Sequence, residues 1–338
     1  MPTDSAPLLD VRDLRVHFEL DQGTVHAVDG LSYSVQRGRT LGIVGESGCG
    51  KTVTAQAILR IVPRPGRIVG GQVLYYPSAG APIDLTRLDP RGAQIRAIRG
   101  KEIAYIFQEP LAALSPVHTI GHSMMERLRL QLRVSQEEAR AQALDMLARV
   151  GMPRPRQTID AYPHQLSGGQ RQRAVIALAL VCRPSLLIAD EPTTALDVTT
   201  EAQILELLLE LQRDLGMAMQ YITHNLGVVA ELVDDVVVMY LGKPVEYASV
   251  EEIFDHPAHP YTQALLRSIP KLGKRSGQTR GRLEAIRGMV PDPYHVPAGC
   301  AFHPRCPNFL KGVCDDPPYV EVGPGHRALC SRALAVQT

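Results

Sequence analysis

Between about residues 8 and 44 apolar and polar positions alternate. They do so in Leu14-Arg15-Val16-His17-Phe18, from Val25 to Val28 and from Leu31 to Val35, with turn signals at Asp21-Gln22-Gly23 and Arg37-Gly38. A period of two predicts strands with one buried face. Thr40-Leu41-Gly42-Ile43-Val44 loses the alternation, as a strand covered on both faces does, and Val53 to Arg60 reads as a helix. From about Leu111 to Pro184 the spacing turns helical. Ser135 and Glu138 form a capping box ahead of Ala139, Ala143, Leu144, Leu147 and Val150, and Gln170 opens a second apolar-spaced run through Val175, Ile176, Leu178, Ala179 and Val181. Ser185 to Ala189 and Met219 to Thr223 return to buried strands, with Thr200 and Gln203 expected to cap a helix from Ile204 to Leu215. Strands alternating with helices predict an α/β fold on a parallel sheet, with a strand-rich region before it and a helical stretch within it.

Two strand-to-helix junctions carry candidate chemistry. Gly45-Glu46-Ser47-Gly48-Cys49-Gly50-Lys51-Thr52 fits G-x-x-x-x-G-K-[ST] and has the strand before and the helix after that a phosphate-binding loop requires. Glycines let the backbone turn tightly and aim its N–H groups at phosphate oxygens, while the helix adds its positive end. Lys51 is expected at the β- and γ-phosphates of ATP and the Thr52 hydroxyl on Mg²⁺. Ser167, Gly168, Gly169 and Gln170 stand at another helix N-terminus, a second place for an anion. Asp190 and Glu191 leave the end of an apolar strand together, which divides them into a metal anchor and a base that polarises the attacking water.

Taken together, the phosphate loop, Leu166 to Gln170, Asp190-Glu191, Ala195-Leu196-Asp197 and His224 resemble the ABC-transporter ATPases in order and spacing, over nearly the whole chain. The resemblance implies a P-loop ATPase of the ABC type, with an antiparallel β subdomain, a helical subdomain at about 111–184 and a C-terminal cysteine-containing tail. It makes Gln108 the glutamine that touches Mg²⁺ and the attacking water, Asp197 the aspartate of a loop crossing the dimer interface, and His224 a switch histidine at the γ-phosphate. Phe18 is the candidate for stacking on adenine, with Tyr33 as another aromatic nearby and plain core packing as the other reading of Phe18. One molecule cannot complete such a site, because Ser167 to Gln170 cap the nucleotide held by a partner.

His259-Pro260-Tyr261-Thr262-Gln263-Ala264-Leu265-Leu266 and the tail behind it resemble the ATPases of oligopeptide, dipeptide and nickel importers, closest to the first of their two ATPase subunits. The partners so implied are a second, related ATPase, two integral membrane permeases and, indirectly, an external substrate-binding protein. An ATPase domain over 1–270 and an extension over 271–338 are expected. The rival function is a soluble ABC ATPase acting on nucleic acid or ribosomes; the long coiled-coil insertion or second cassette that such proteins carry is absent from this sequence.

Composition narrows the partners. With 36 Lys and Arg against 35 Asp and Glu the formal net charge is +1, which gives no reason to expect a nucleic acid. Ala174 to Cys182 is far short of the roughly 20 apolar residues a membrane span needs, and Met1-Pro2-Thr3-Asp4-Ser5 shows no signal-peptide pattern. A peripheral position at the cytoplasmic face of the inner membrane is the expectation. Lys271, Lys274, Arg275, Arg280 and Arg282 read better as a solvated linker than as a lipid contact, given the flexible Gly273, Ser276 and Gly277 among them.

Of six cysteines, Cys49 lies in the phosphate loop and Cys182 in an apolar helix. Cys300, Cys306, Cys314 and Cys330 crowd a Pro- and Gly-rich tail without Cys-x-x-Cys spacing. Four thiols in a cytosolic chain suggest a metal, with free reduced thiols as the alternative. The resemblance to peptide importers favours a [4Fe-4S] cluster over zinc.

Overall fold

The computed structural model describes residues 6–108, 113–194, 196–269 and 286–333. Ala195, Glu109-Pro110 and the basic run from Lys271 to Arg282 lie outside them. Long strands β1 (Leu9–Leu20) and β2 (Gly23–Val35) pair antiparallel around a turn at Asp21-Gln22, and β4 (Gly66–Tyr75) and β5 (Ile83–Asp84) complete a four-stranded sheet in the order β2-β1-β4-β5. The three short alternating runs in the sequence are thus parts of two continuous strands, whose register shifts at Val11/Leu14 and Val16/His17 break the apparent pattern.

The second sheet has eight strands. Its centre is parallel: β3 (Thr40–Val44), β6 (Ile103–Ile106), β7 (Leu186–Asp190), β8 (Ala218–Thr223) and β9 (Asp235–Tyr240). Antiparallel β10 (Lys243–Ser249), β12 (His326–Leu329) and β11 (Tyr319–Gly323) extend one side, giving the order β11-β12-β10-β9-β3-β8-β7-β6. Every residue of β3, β7 and β8 is buried. Alternate side chains serve two cores: Ile43, Ile188, Ile222 and Val237 face the antiparallel sheet, while Val44, Ala189, Tyr221 and Val238 face the helices. That double burial is why these strands read as unbroken apolar runs.

Ten helices are present among the described residues: α1 (Lys51–Ile58), α2 (Ala93–Ile98), α3 (Ile120–Leu132), α4 (Gln136–Arg149), α5 (Pro155–Thr158), α6 (Gly168–Leu180), α7 (Val198–Leu215), α8 (Leu226–Leu232), α9 (Val250–Asp255) and α10 (Pro260–Arg267). Helices α3 to α6 form the insertion expected between about 111 and 184. Ser135 and Glu138 cap α4 reciprocally, and Ser167 and Gln170 do the same for α6. One boundary differs from expectation. Helix α7 starts six residues before Ile204, because the Asp197 carboxylate accepts the Thr200 N–H at 2.9 Å and the Thr200 hydroxyl at 2.7 Å. No helix among the described residues is long and apolar enough to cross a membrane.

Candidate functional site

Strands β3, β6, β7 and β8 run parallel, so their carboxyl ends open on one edge of the sheet, where ligands of open α/β sheets bind. The loop after β3 is held by its glycines. A Cβ on Gly45 would stand 2.2 Å from the Met239 carbonyl oxygen, and one on Gly50 2.1 Å from that of Ala27; both have positive φ. Within that loop Lys51 Nζ donates to the carbonyls of Gly45 at 2.8 Å and Glu46 at 3.1 Å. Thr52 follows in the first turn of α1 and its hydroxyl donates to Asp190 Oδ1 at 3.2 Å; Tyr105 donates to the other oxygen at 2.7 Å. Asp190 is fully buried, and burial pushes its carboxyl above the usual range against the pull of these bonds.

Glu191 is the hub. It sits in left-handed backbone at φ 46°, anchored by its N–H donating to Ile222 O at 2.9 Å, a conformation that non-glycine residues adopt at a cost and that recurs at functional sites. His224 Nδ1 lies 3.0 Å from Glu191 Oε1; Gln108 Nε2 and the Thr194 hydroxyl donate to Oε2 at 3.3 and 3.1 Å. Burial alone would raise the Glu191 carboxyl, but His224, Thr194 and Lys51 outweigh it and hold it below its ordinary value. A carboxylate so held is ionised at neutral pH and can accept a proton from water.

A pocket of about 190 Å³ opens on this edge, lined by Ser47, Gly48, Gly50, Lys51, Thr52, Gln108 and Glu191 among others. Gly45, Glu46 and Cys49 belong to the same loop without lining the pocket, and Asp190 and His224 connect to it through their bonds with Thr52 and Glu191. Ser167 and Gly168 are exposed and line no part of it, and neither do Gly169, Gln170 and Asp197. Phe18 is also absent from the lining: it packs on β4, where a Cβ on Gly66 would meet its ring at 2.6 Å. The sequence reading missed Val25, His26, Ala27, Leu241, Gly242, Pro293 and Val296, which complete the wall. His26, eight positions beyond Phe18, carries no motif, and nothing in the order of residues places Pro293 and Val296 beside a loop so far before them. Tyr105 was missed as well, although it adjoins Ile106-Phe107-Gln108 on β6.

The cysteine-rich tail requires a correction. Cys300, Cys306, Cys314 and Cys330 line a common apolar cavity, but its volume is about 20 Å³, room for about one water and none for a four-iron cluster. Nor do three or more of the four sulfurs stand within single-ion distance of one another. Among the described residues the only metal-sized grouping of His, Cys, Asp and Glu is His17, His26 and Asp29. Burial raises the thiols of Cys300, Cys306 and Cys330, Cys306 to about 11. All six cysteines are free thiols. The expectation of a [4Fe-4S] cluster, and of zinc in its place, is therefore not upheld.

Comparison with known proteins meets this geometry from outside. A family described as ABC transporter matches residues 28–194, and one described as Oligopeptide/dipeptide transporter, C-terminal region, matches residues 245–314. The chain is 49% identical over 332 residues to a probable peptide ABC transporter ATP-binding protein, y4tR, of Sinorhizobium fredii (strain NBRC 101917 / NGR234), covering 97% of this chain and 96% of that one. It is 46% identical over 329 residues to the dipeptide transport ATP-binding protein DppD of Escherichia coli (strain K12), covering 97% of each. Its backbone superposes on the dimeric bacterial ABC transporter cassette MJ0796 with a TM-score of 0.62 at 26% identity, over 72% of this chain and 98% of that one. The chain belongs to the ATP-binding proteins of the ABC transporter family.

Proposed function

We propose that this protein is the ATP-hydrolysing subunit of an importer of dipeptides or oligopeptides, held at the cytoplasmic face of the inner membrane by permease subunits. The observation that carries the reading is the convergence of Lys51, Thr52, Gln108, Asp190, Glu191 and His224 on one sheet edge, in a chain whose relatives are named for peptide transport. Two such subunits bind ATP between them. Each supplies the loop from Gly45 to Thr52, and its partner supplies the equivalent of Ser167 to Gln170, whose exposure at the N-terminus of α6 suits an anion arriving from another molecule. The partner is a second, related ATPase.

The donors at the loop fit Mg²⁺, since Thr52 Oγ1, Asp190 Oδ1 and the Gln108 amide oxygen are hard oxygen ligands on one edge. A Mg²⁺ held by these residues would supply positive charge to the phosphates during transfer. Lys51 turns from its loop carbonyls to the phosphates, and Glu191 takes the proton of the attacking water while His224 and Gln108 fix its carboxylate. Closure of the two subunits drives the permeases between access states, and hydrolysis resets them. The cleft between the sheet and the insertion, about 500 Å³ and bordered by the exposed Phe107 and Leu130, supports a docking place for a permease segment.

Affinity purification of the tagged chain from detergent-extracted membranes tests the reading. Two integral membrane subunits and a second ATPase are the expected companions; nucleic acid or ribosomes in their place would overturn it.

A further inference from the structure

A residue of the C-terminal extension grips the phosphate loop. Arg305 ends a single 3₁₀ turn, His303–Arg305, and its side chain is only 4% exposed. Its guanidinium forks onto Glu46, with Nη1 on Oε2 at 2.6 Å and Nη2 on Oε1 at 3.1 Å. Nη1 also donates to the Tyr240 hydroxyl at 3.3 Å and Nε to the Arg287 carbonyl at 3.1 Å, and the rings of Tyr240 and Phe302 flank the cation at 5.8 and 5.9 Å. The backbone of Glu46 is held too, because its N–H donates to the Tyr261 hydroxyl at 2.9 Å, and Tyr261 on α10 is fully buried.

Glu46 thus faces two ways. Its carbonyl accepts Lys51 Nζ, the cation that belongs to the phosphates, and its carboxylate belongs to Arg305. A carboxylate beside a triphosphate site repels the ligand unless a cation screens it, and the bidentate fork both screens it and fixes its direction. Nothing in a phosphate-loop motif calls for an acidic side chain at this position, so the sequence has placed a charge there that another part of the chain must answer.

We propose that Arg305 is a positioning residue for nucleotide binding: it neutralises and orients Glu46, so that the extension sets the affinity of the phosphate loop for ATP. The inference rests on the ATP-binding reading of the loop and on no particular transported substrate. Removing Arg305 leaves Glu46 unpaired against the phosphates. The loss falls on binding and leaves the chemical step alone, because Glu191, His224 and Gln108 are untouched by the fork.

The test uses the full chain and measures ATP affinity together with the KM and kcat of ATP hydrolysis. Arg305→Met is expected to weaken ATP binding about tenfold and to raise KM in step, with kcat within about twofold of the parent, the scale on which an uncompensated charge acts. Adding Glu46→Gln to Arg305→Met removes the repelling charge and is expected to recover at least half of the lost affinity on a logarithmic scale. An Arg305→Met protein with parental affinity, or a loss that Glu46→Gln leaves uncorrected, would overturn the proposal; the second result would make Arg305 a packing residue of the extension. If Arg305→Met does not fold, Arg305→Lys decides: it keeps the charge and loses the fork, so binding about threefold weaker at unchanged kcat is expected, and unchanged affinity counts against the proposal. A parent chain that binds no ATP would sink the functional reading itself, an outcome separate from all of these.

Discussion

The nucleotide edge and the C-terminal extension are built by opposite means. The edge is assembled from the ends of three parallel strands buried on both faces, so the backbone sets the positions of Lys51, Asp190, Glu191 and His224 before any side chain bonds to another. Among its described residues the extension has little regular structure: a 3₁₀ turn, two short strands and long irregular stretches. Buried polar groups help to fasten it, beside Phe302 in the main core and the pairing of β12 with β10. Glu246 on β10 is 1% exposed and accepts the N–H groups of Ala258 and His259 at 2.6 and 2.9 Å, and His326 Nε2 on β12 lies 2.8 Å away. A site that performs chemistry is placed by a sheet; a segment that adjusts it is placed by polar bonds that can be tuned singly. The contrast can be tested at each end.

The largest effect is expected at the edge. Glu191→Gln keeps the shape and the bonds from Gln108 and Thr194 but cannot take a proton from water, so ATP hydrolysis should fall by about 10²- to 10⁴-fold while ATP still binds. Steady-state phosphate release and equilibrium nucleotide binding on the same preparation measure the two halves. Normal turnover would remove Glu191 from the role of base and with it the argument that strand ends alone position the chemistry.

This division also explains what could be read from the sequence. The strand from Thr40 to Val44, the strand ending at Asp190, the capped α4 and the apolar-spaced α6 were legible because burial on two faces, a reciprocal cap and helical spacing leave local patterns. Asp197 was read only as an interface residue, and its part as the cap of α7 was hidden because an aspartate in a loop has either use. The extension was misread. Its Pro- and Gly-rich composition suggested a segment without a core, closed by metal on four cysteines. Instead Phe302 is 1% exposed within the main core and the hairpin of β11 and β12 continues the large sheet beyond β10. Neither an aromatic cluster that joins residues 240, 261 and 302 nor a strand pairing between 246 and 328 leaves a mark on local spacing.

Protons should act with opposite signs at two histidines, His259 at the start of α10 in the ATPase body and His326 on β12 of the extension. Burial lowers His259 from its ordinary 6.5 to about 4, with Glu246 only partly opposing it, because the imidazole is enclosed and its Nδ1 accepts the Tyr261 N–H at 3.0 Å. Its folded pKa lies below its unfolded value, so its stabilising contribution is complete above about pH 6.5 and is lost as pH falls toward 4, by on the order of 3 kcal/mol. His326 is raised, first by the bond with Glu246, against burial, and further by Glu252 on α9. Its contribution is complete below about pH 6.5 and is lost as pH rises through its higher folded value. Docking of the extension should therefore be strongest near pH 6.5, read as hydrogen-exchange protection of β11 and β12. Protection that climbs without a maximum from pH 5 to 8 would show that these histidines do not govern the attachment.

The smallest effect asks whether the two regions melt together. Phe302 meets Tyr240 edge-on at 5.3 Å and Tyr261 at 5.4 Å, and these rings belong to β9 and α10 of the ATPase body. Phe302→Leu keeps an apolar side chain of similar reach and loses the ring contacts and some volume, a cost of about 1 kcal/mol. Because Phe302 shares a continuous core with the sheet, that loss should appear as a small downward shift of the single main thermal transition. If the extension were an independent module resting on the surface, the same substitution would leave the main transition in place and move or create an earlier one. Calorimetry on the parent and variant chains separates the two, and an earlier transition would mean that the polar bonds of Glu246 and Arg305 fasten the extension without help from the shared aromatic core.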